Sequence, residues 1–287
     1  MLILGHRGTG VTMFNSQAQE EVRREKGSKF PENTLKAFKT ALVGGADGIE
    51  LDVIRTSDDK MAIMHDNALN LHVAGACREE QALGYVEHHT MTQLQSLNVG
   101  DGYGVPSLKS CLNLSEDYNA AVVNIELKGY GTARLAYQEA VDSNFPNHRI
   151  IFSSFDHQQL KQLRNDWGYE RTKIGLLFEE RALPVSRIFP DRKNSSEKYI
   201  HFSPQYVDSV MTSIKPTSLH PILQDCSDEL LNYAAHHKLD VFVWTKNEKA
   251  PLDDPAVLTF ALKHKKNPHI HLITDFPVEI KHALIHS

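Results

Sequence analysis

Short apolar or β-branched segments alternate with amphipathic segments along almost the whole chain. Nine of the short segments predict strands, at residues 2–5, 48–54, 61–65, 121–128, 149–155, 173–178, 199–203, 241–245 and 270–274. Between them, apolar residues recur at the three- and four-residue spacing of helices, as at Leu35, Phe38 and Leu42. This alternation of strands and helices indicates a parallel sheet covered by helices.

A chain of 287 residues accommodates one (β/α)₈ TIM barrel, an α/β fold of about 250 residues. The strands that end before residue 55 and begin after residue 60 are too close for a crossover helix, so one of the nine is predicted to lie outside the barrel. We predict a single domain over 1–287. It carries a loop insertion at about 11–30 and a small insertion at about 67–106, after the strand that ends at His65.

Composition narrows the class of protein. The chain is 41% apolar and 23% charged with a net charge of −5, which is ordinary for a globular protein and argues against nucleic acid as a partner bound through bulk charge. No apolar run reaches the length of a membrane helix, and the apolar start is too short for a signal peptide. Three scattered cysteines favour a reducing compartment. We expect a cytoplasmic protein without stable membrane insertion; its oligomeric state is left open.

A histidine and an arginine lie between two glycines at the end of the first predicted strand, in Gly5-His6-Arg7-Gly8. The carboxyl ends of the strands form the active face of an α/β barrel. Glycine lets the backbone approach a ligand closely, and the planar guanidinium of Arg7 suits phosphate oxygens. The alternative is a strand end with an incidental histidine, and this segment alone does not decide between the two.

Carboxylates alternate with apolar residues in two predicted strands. Glu50 and Asp52 share one face of the second strand, and Glu126 shares a face with Lys128 in the fourth. Buried carboxylates are costly unless they are paired or bound to a metal. We therefore expect Glu50, Asp52 and Glu126 to point into the barrel as oxygen ligands for one divalent cation, Mg²⁺ or Ca²⁺. For Glu126 and Lys128 alone, a simple salt bridge is the alternative.

Further polar and aromatic residues lie at strand ends. His65 ends the third predicted strand as His6 ends the first, and two histidines at one barrel mouth can act as general base and general acid. Trp244 is expected either to fill the core or to form a wall against the substrate. The segment Thr274–Pro277 is expected to do no more than cap the last helix. Other histidines are expected on helix surfaces or near the termini and not as ligands: His236, His237, His264, His269, His271, His282 and His286.

Eight segments, taken together, resemble the glycerophosphodiester phosphodiesterase family. They follow one another in the family's order: GHRG at 5–8, PENT at 31–34, GIELDV at 48–53, MHD at 64–66, IELK at 125–128, SSF at 153–155, VWT.N at 243–247 and ITDFP at 273–277. The family fold is a TIM barrel, in agreement with the alternation of strands and helices.

The resemblance implies a reaction and roles for the residues. The reaction is metal-dependent hydrolysis of a small-molecule glycerophosphodiester to sn-glycerol 3-phosphate and an alcohol such as choline or ethanolamine. The implied roles are divalent-metal ligands for Glu50, Asp52 and Glu126, an acid/base pair for His6 and His65, phosphate contacts for Arg7 and Lys128, and a place at the edge of the site for Glu32. The segment 68–73 departs from the family's TLDRTT-like run, and 11–30 and 181–198 are long. These departures concern the choice of substrate alcohol more than the chemistry.

Two other functions remain open at this point. A phospholipase C- or D-like hydrolase of lysophospholipids would need an exposed apolar or basic loop at the membrane, and 11–30 offers only Met13 and Phe14 among many charges. A non-catalytic binding barrel should have lost at least one of the histidines or carboxylates named above, and it has lost none. A sugar-processing barrel with two acids does not explain the paired histidines or Arg7.

Overall fold

The computed structural model describes residues 1–9, 30–69, 73, 83–165, 172–179, 200–245 and 255–287. The predicted loop insertion at 11–30, except Phe30, and the long segment 181–198 lie outside the described residues. The strands are β1 (Ile3–Gly5), β2 (Gly48–Arg55), β3 (Met61–Ile63), β4 (Val122–Leu127), β5 (Ile150–Ser154), β6 (Lys173–Phe178), β7 (Ser218–Pro221), β8 (Asp240–Trp244) and β9 (Ile270–Thr274). The α-helices are α1 (Leu35–Val43), α2 (Met91–Gln95), α3 (Leu108–Asp117), α4 (Thr132–Val141), α5 (His157–Asn165), α6 (Pro204–Val210), α7 (Asp228–His237), α8 (Pro255–His264) and α9 (Pro277–Ile285).

Eight of the described strands close into a parallel barrel. Their order is β1-β9-β8-β7-β6-β5-β4-β2, and β2 returns to pair with β1. A helix follows each barrel strand before the next, which confirms the predicted TIM barrel. The strand outside the barrel is β3, which runs antiparallel to the end of β2 with Ile63 opposite Val53.

The sixth barrel strand in chain order, β7, differs from the prediction. The predicted strand at 199–203 is wrong, because residues 200–203 are irregular and the Ser203 hydroxyl caps α6 by accepting a hydrogen bond from Tyr206 N at 3.2 Å. Its place is taken by β7, whose sequence Ser-Leu-His-Pro is short and ends in proline. Ser218 and His220 are both buried, and Leu219 is the one strongly apolar residue of this strand.

Strand side chains divide the core into two layers. On β2, the apolar Ile49, Leu51 and Val53 are fully buried against the helices, and the alternate positions face the barrel axis. The interior is filled by a second apolar cluster from the barrel strands: Leu4, Val122, Ile151, Leu177, Ile222, Phe242, Trp244 and Ile273. The barrel is therefore packed below its mouth, and a site can form only where polar inward positions reach the strand ends.

Hydroxyl caps fix where several helices begin. Thr34 Oγ1 accepts a hydrogen bond from Ala37 N at 3.2 Å at the start of α1, and Ser227 Oγ accepts one from Leu230 N at 3.2 Å at the start of α7. A cap of this type contributes about 1 kcal/mol to helix stability. The cap on α1 also fixes the segment just before it, 31–33, against the barrel mouth.

The described residues of the small insertion predicted at 67–106 contribute to a separate apolar core. Its described residues include a 3₁₀ turn at Val86–His88 and helix α2, whose Thr90 and Gln93 form a capping box. Leu69, Val86 and Leu94 are fully buried in this core, which is distinct from the barrel layers. The described residues of the insertion thus pack together on β3 and the end of β2.

Two histidines are buried inside the barrel. The prediction that His271 lies at a surface or terminus is wrong: it is in β9, 5% exposed, and its Nδ1 accepts a hydrogen bond from Leu2 N at 3.1 Å. His220 contacts Ser218 Oγ through Nε2 at 2.8 Å. Burial lowers the pKa of His271 to about 4 and that of His220 to about 3, so both are neutral at neutral pH.

No helix among the described residues is both long and apolar enough to cross a membrane.

Candidate active site

The predicted site residues come from four neighbouring strands at one end of the barrel. His6 and Arg7 follow β1, and Glu50 and Asp52 lie within β2. In β4, Glu126 is the register partner of Asp52, and Lys128 comes directly after the strand. His65 lies two residues beyond β3. The parallel barrel strands bring their carboxyl ends to the same edge, and the segment after the antiparallel β3 joins them there, with Met64 N donating to Asp52 O at 3.1 Å. The structure thus assembles in one place residues that lie more than a hundred positions apart in the sequence.

A tight turn aims the backbone of Arg7 into the barrel. Gly8 has φ +89°, and a Cβ on it would lie 2.6 Å from the carbonyl carbon of Ala37 in α1. Arg7 itself has φ 49°, a left-handed conformation that is uncommon for a residue with a side chain. The turn lets Arg7 N donate a hydrogen bond to Glu50 Oε2 at 2.9 Å. The glycines around His6 and Arg7 are therefore required by this turn.

Three buried carboxylates converge below the mouth. Glu50, Asp52 and Glu126 each offer an oxygen, and these oxygens all lie within 4.8 Å of one another. Among the described residues no other group of three metal-ligating side chains is this close. Glu50 Oε1 is buried and has no hydrogen-bond partner within the described part of the chain. An oxygen-only group with an unsatisfied buried acceptor fits a hard divalent cation.

Two cations balance part of this charge. The Arg7 guanidinium lies 3.3 Å from Asp52 Oδ2 through Nε, and its Nη1 donates to both oxygens of Glu32 at 3.1 Å. Lys128 Nζ lies 2.5 Å from Glu126 Oε1 and 3.3 Å from Asp52 Oδ1. If Glu50, Asp52, Glu126 and Glu32 are all ionised, their four negative charges and the two positive charges of Arg7 and Lys128 leave a formal charge of −2. One divalent cation would neutralise it.

The ionisation tendencies of the carboxylates follow from these neighbours. Burial and the Asp52 charge raise the pKa of Glu50 to about 8. Burial alone would raise the pKa of Asp52, but Lys128, His65 and Arg7 hold it well below its usual range. The pKa values of Glu50 and Asp52, two residues apart on one strand, are thus shifted in opposite directions. A cation bound here would take the place of the proton that Glu50 otherwise keeps.

His6 is oriented by a carboxylate that sequence reasoning did not assign to the site. Its Nδ1 lies 2.6 Å from Asp275 Oδ1, and its Nε2 lies 3.9 Å from Glu50 Oε2. Burial acts to lower the pKa of His6, but Asp275 more than compensates with help from Glu50, and the net shift is upward. The prediction that Thr274–Pro277 does no more than cap the last helix is wrong, because Asp275 contacts His6 and α9 has no side-chain cap at its preceding residue, Phe276. The signal in the sequence was that Asp275 follows the last strand, because the last strand of a closed barrel lies beside the first.

His65 has a carboxylate partner of its own. Its Nδ1 lies 2.9 Å from Oδ1 of the adjacent Asp66. The ring borders a small cleft lined also by Glu32 and by Val99 and Val105 of the insertion, so the insertion forms one wall of the site. The side chain of His65 is 22% exposed and that of His6 is 12% exposed, which leaves both histidines accessible from the mouth.

Asn33 is a second residue that the sequence analysis did not single out. Its Nδ2 donates to Asp52 Oδ2 at 2.9 Å, and its backbone N donates to Arg7 O at 3.0 Å. It is 4% exposed and has φ 56°, a conformation that asparagine tolerates better than most residues. Asn33 therefore fixes both the carboxylate and the turn that carries Arg7. Its place inside the PENT segment was the available signal.

Aromatic rings form the opposite wall. Trp244, 7% exposed, belongs to the interior apolar cluster and also lies 6.5 Å from His6, centroid to centroid. Phe155 meets Trp244 edge-on at 5.9 Å, and Lys128 Nζ lies 5.9 Å from the centroid of the Phe155 ring. Trp244 therefore fills part of the core beside His6, and its role as a wall against the substrate stays a prediction. An apolar wall beside the charged groups excludes water from one side of the site.

Comparison with known proteins identifies a family whose sequence profile matches nearly the whole chain. The sequence profile of the glycerophosphoryl diester phosphodiesterase family matches residues 24–279, nearly the whole chain. The chain belongs to this family. A glycerophosphodiester phosphodiesterase from Caldanaerobacter subterraneus subsp. tengcongensis is 27% identical over 242 residues, covering 80% of this chain and 86% of the relative.

Solved structures carry the same fold. A glycerophosphodiester phosphodiesterase from Thermotoga maritima is 25% identical with a TM-score of 0.65, covering 99% of this chain and 98% of the other. A phosphodiesterase from Oleispira antarctica, solved with the product sn-glycerol-3-phosphate, is 19% identical with a TM-score of 0.70, covering 100% of this chain and 97% of the other. The family membership confirms the predicted enzyme class, glycerophosphodiester phosphodiesterase, over the non-catalytic binding barrel.

Proposed function

We propose that this member of the family hydrolyses small-molecule glycerophosphodiesters to sn-glycerol 3-phosphate and an alcohol, with one divalent cation, Mg²⁺ or Ca²⁺, and with His6 and His65 as the acid/base pair. The observation that carries the proposal is that two histidines, each with a carboxylate on Nδ1, border a buried group of three carboxylates. The product complex of the Oleispira antarctica phosphodiesterase supports the choice of product.

The cation site consists of Glu50, Asp52 and Glu126. A divalent cation held there would neutralise negative charge on a non-bridging phosphate oxygen and so make the phosphorus more open to attack. Asn33 and Arg7 keep Asp52 in place, and the backbone N–H of Arg7 fixes one oxygen of Glu50. The ligand geometry is thus set before any substrate enters.

Arg7 and Lys128 supply the remaining positive charge for the phosphate. Both ammonium and guanidinium groups lie beside the carboxylates and are only 6% and 11% exposed, so their charge acts in a poorly solvated place. Glu32 holds the Arg7 guanidinium from the other side. Trp244 and Phe155 are assigned to the wall against which the glycerol portion lies.

The histidines move the protons. In each ring the nitrogen Nδ1 is directed at a carboxylate, Asp275 for His6 and Asp66 for His65, which leaves Nε2 for the reacting atoms. One Nε2 removes a proton from water, which attacks the phosphorus, or from the neighbouring hydroxyl of the glycerol, in which case a cyclic phosphate forms and water then opens it to glycerol 3-phosphate. The other donates a proton to the oxygen of the leaving alcohol, so that no free alkoxide forms.

The test is the release of glycerol 3-phosphate from glycerophosphocholine, with and without EDTA. We expect release that stops with EDTA, returns with added Mg²⁺ or Ca²⁺, and falls by at least about a hundred-fold in His6→Ala and His65→Ala. His148→Ala, an exposed histidine on another face, is the matched control and should retain full activity.

Other outcomes would contradict specific parts of the proposal. Full activity in EDTA would refute the metal dependence, and an active His65→Ala enzyme would refute the paired histidines. Cleavage of lysophospholipid with no cleavage of glycerophosphocholine would replace the substrate class by that of the lipid hydrolase.

A further inference from the structure

Lys128 occupies the place of a cation among the candidate metal ligands. Its Nζ lies 2.5 Å from Glu126 Oε1 and 3.3 Å from Asp52 Oδ1, so it contacts two of the three carboxylates. The side chain is 6% exposed, and its ammonium faces the ring of Phe155 at 5.9 Å. An ammonium this close to two ligand carboxylates competes with any metal ion for them.

The charges explain why such an occupant is needed. Without Lys128, Arg7 would be the one lysine or arginine of the described site in contact with this group of buried carboxylates (Glu32, Glu50, Asp52 and Glu126), and Glu50 would still have an unsatisfied oxygen. Several uncompensated carboxylates inside one barrel mouth strongly destabilise the folded state. Lys128 therefore balances the charge of Asp52 and Glu126 in the metal-free chain, in addition to any contact it makes with the phosphate of the substrate.

We propose that Lys128 is an exchangeable placeholder for the divalent cation. In the metal-free enzyme its ammonium neutralises Glu126 and Asp52; on metal entry it leaves them and turns to the mouth, where a phosphate can meet it. The inference rests on the proposed function, because the metal site is part of it. It adds a regulation of that site: the enzyme acquires its full positive charge at the phosphate only after the metal is bound.

The first experiment follows the lysine directly in the wild-type enzyme. Metal-free enzyme and enzyme saturated with Mg²⁺ or Ca²⁺ are treated briefly with acetic anhydride, and the acetylation rate of each lysine is read by mass spectrometry. We expect the rate at Lys128 to rise at least five-fold with the metal. Lys281, whose Nζ is bonded to both oxygens of Asp47 at 2.8 and 2.9 Å, is the internal control and should not change.

The second experiment measures competition by calorimetry with the metal alone. In Lys128→Met the dissociation constant for the metal should fall at least ten-fold, because a charge-assisted hydrogen bond no longer opposes binding. Lys281→Met removes an ion-paired lysine elsewhere and should bind the metal as the wild type does. Thermal unfolding should show Lys128→Met less stable than wild type without metal and most of the difference recovered with it.

The outcomes separate this inference from the proposed function. Metal binding and activity in the wild type, with an unchanged acetylation rate at Lys128, would overturn the placeholder alone. An absence of metal binding and of metal-dependent activity in the wild type would overturn the proposed metal site itself. If Lys128→Met does not fold, the acetylation experiment on the wild type still decides.

Discussion

His6 Nδ1 and Asp275 Oδ1 lie 2.6 Å apart, although 269 residues separate them in the chain. The contact joins the residue after the first barrel strand to the residue after the last. It fixes the orientation of the imidazole and directs Nε2 towards Glu50 and the mouth. Asp275 is thus a positioning residue for His6.

Replacing Asp275 with asparagine should lower kcat by about 10- to 100-fold and change KM little, because the ring loses its fixed orientation while the phosphate contacts stay. Steady-state kinetics on glycerophosphocholine measures both constants. Asp240→Asn is the matched control, since Asp240 Oδ1 contacts His269 Nδ1 at 2.8 Å in an exposed pair. Equal kcat values in the two variants would refute the positioning role.

Asn33→Gly should weaken metal binding by about ten-fold, because Asp52 loses a hydrogen bond that orients it. Glycine accepts the φ of 56°, so the backbone conformation is retained. Asn119, exposed and with φ 52°, provides the control Asn119→Gly. Calorimetric titration with Mg²⁺ or Ca²⁺ compares the two. A metal affinity unchanged in Asn33→Gly would remove Asn33 from the support of the site.

Gly8→Ala and Gly45→Ala should separate backbone strain from steric clash. Both glycines have positive φ, +89° and +95°, so each alanine costs about 1–2 kcal/mol of strain. A Cβ at Gly45 meets nothing within 4 Å, but one at Gly8 lies 2.6 Å from the Ala37 carbonyl carbon. We expect the free energy of unfolding, measured with urea, to fall by about 1–3 kcal/mol more in Gly8→Ala than in Gly45→Ala. Equal losses would mean that α1 moves freely away from the turn.

Folding stability should decrease as the pH falls below 6.5. Burial lowers the pKa of His157 to about 4 and that of His220 to about 3. Below pH 6.5 these histidines are therefore protonated in the unfolded chain but stay neutral in the folded chain until the pH approaches the lowered values. At pH 5.5 each histidine costs about 1.4 kcal/mol, and above pH 6.5 the effect vanishes.

Urea unfolding at several pH values measures this slope. His220→Gln should reduce the slope between pH 6.5 and 4.5, whatever its effect on absolute stability. His148→Gln, at an exposed position, should leave the slope as in the wild type. An identical slope in His220→Gln and wild type would mean that His220 is protonated in the folded protein.

The sequence predicted best where a strand alternates cleanly. Glu50 and Asp52 stand between apolar residues on β2, and this alternation alone placed both carboxylates inside the barrel. β7 was missed because it has only four residues, and the positions that alternate with Ser218 and His220 are a single leucine, Leu219, and a proline, Pro221. Asp275 was missed for a different reason: a carboxylate before Phe-Pro has the local pattern of a helix start, and its true partner is known only once the barrel is closed.

The closing pair of strands, β1 and β9, has a consequence for protein synthesis. β1 is synthesised before β9 and can pair with it only after β9 has been made. In the folded chain Ile3, Leu4 and Gly5 then lie opposite Leu272, Ile273 and Thr274. His6 meets Asp275 only when that seam forms. A chain in which β9 has not yet joined the barrel therefore carries the carboxylates and both histidines but lacks the contact that orients His6, so full activity requires the closed barrel.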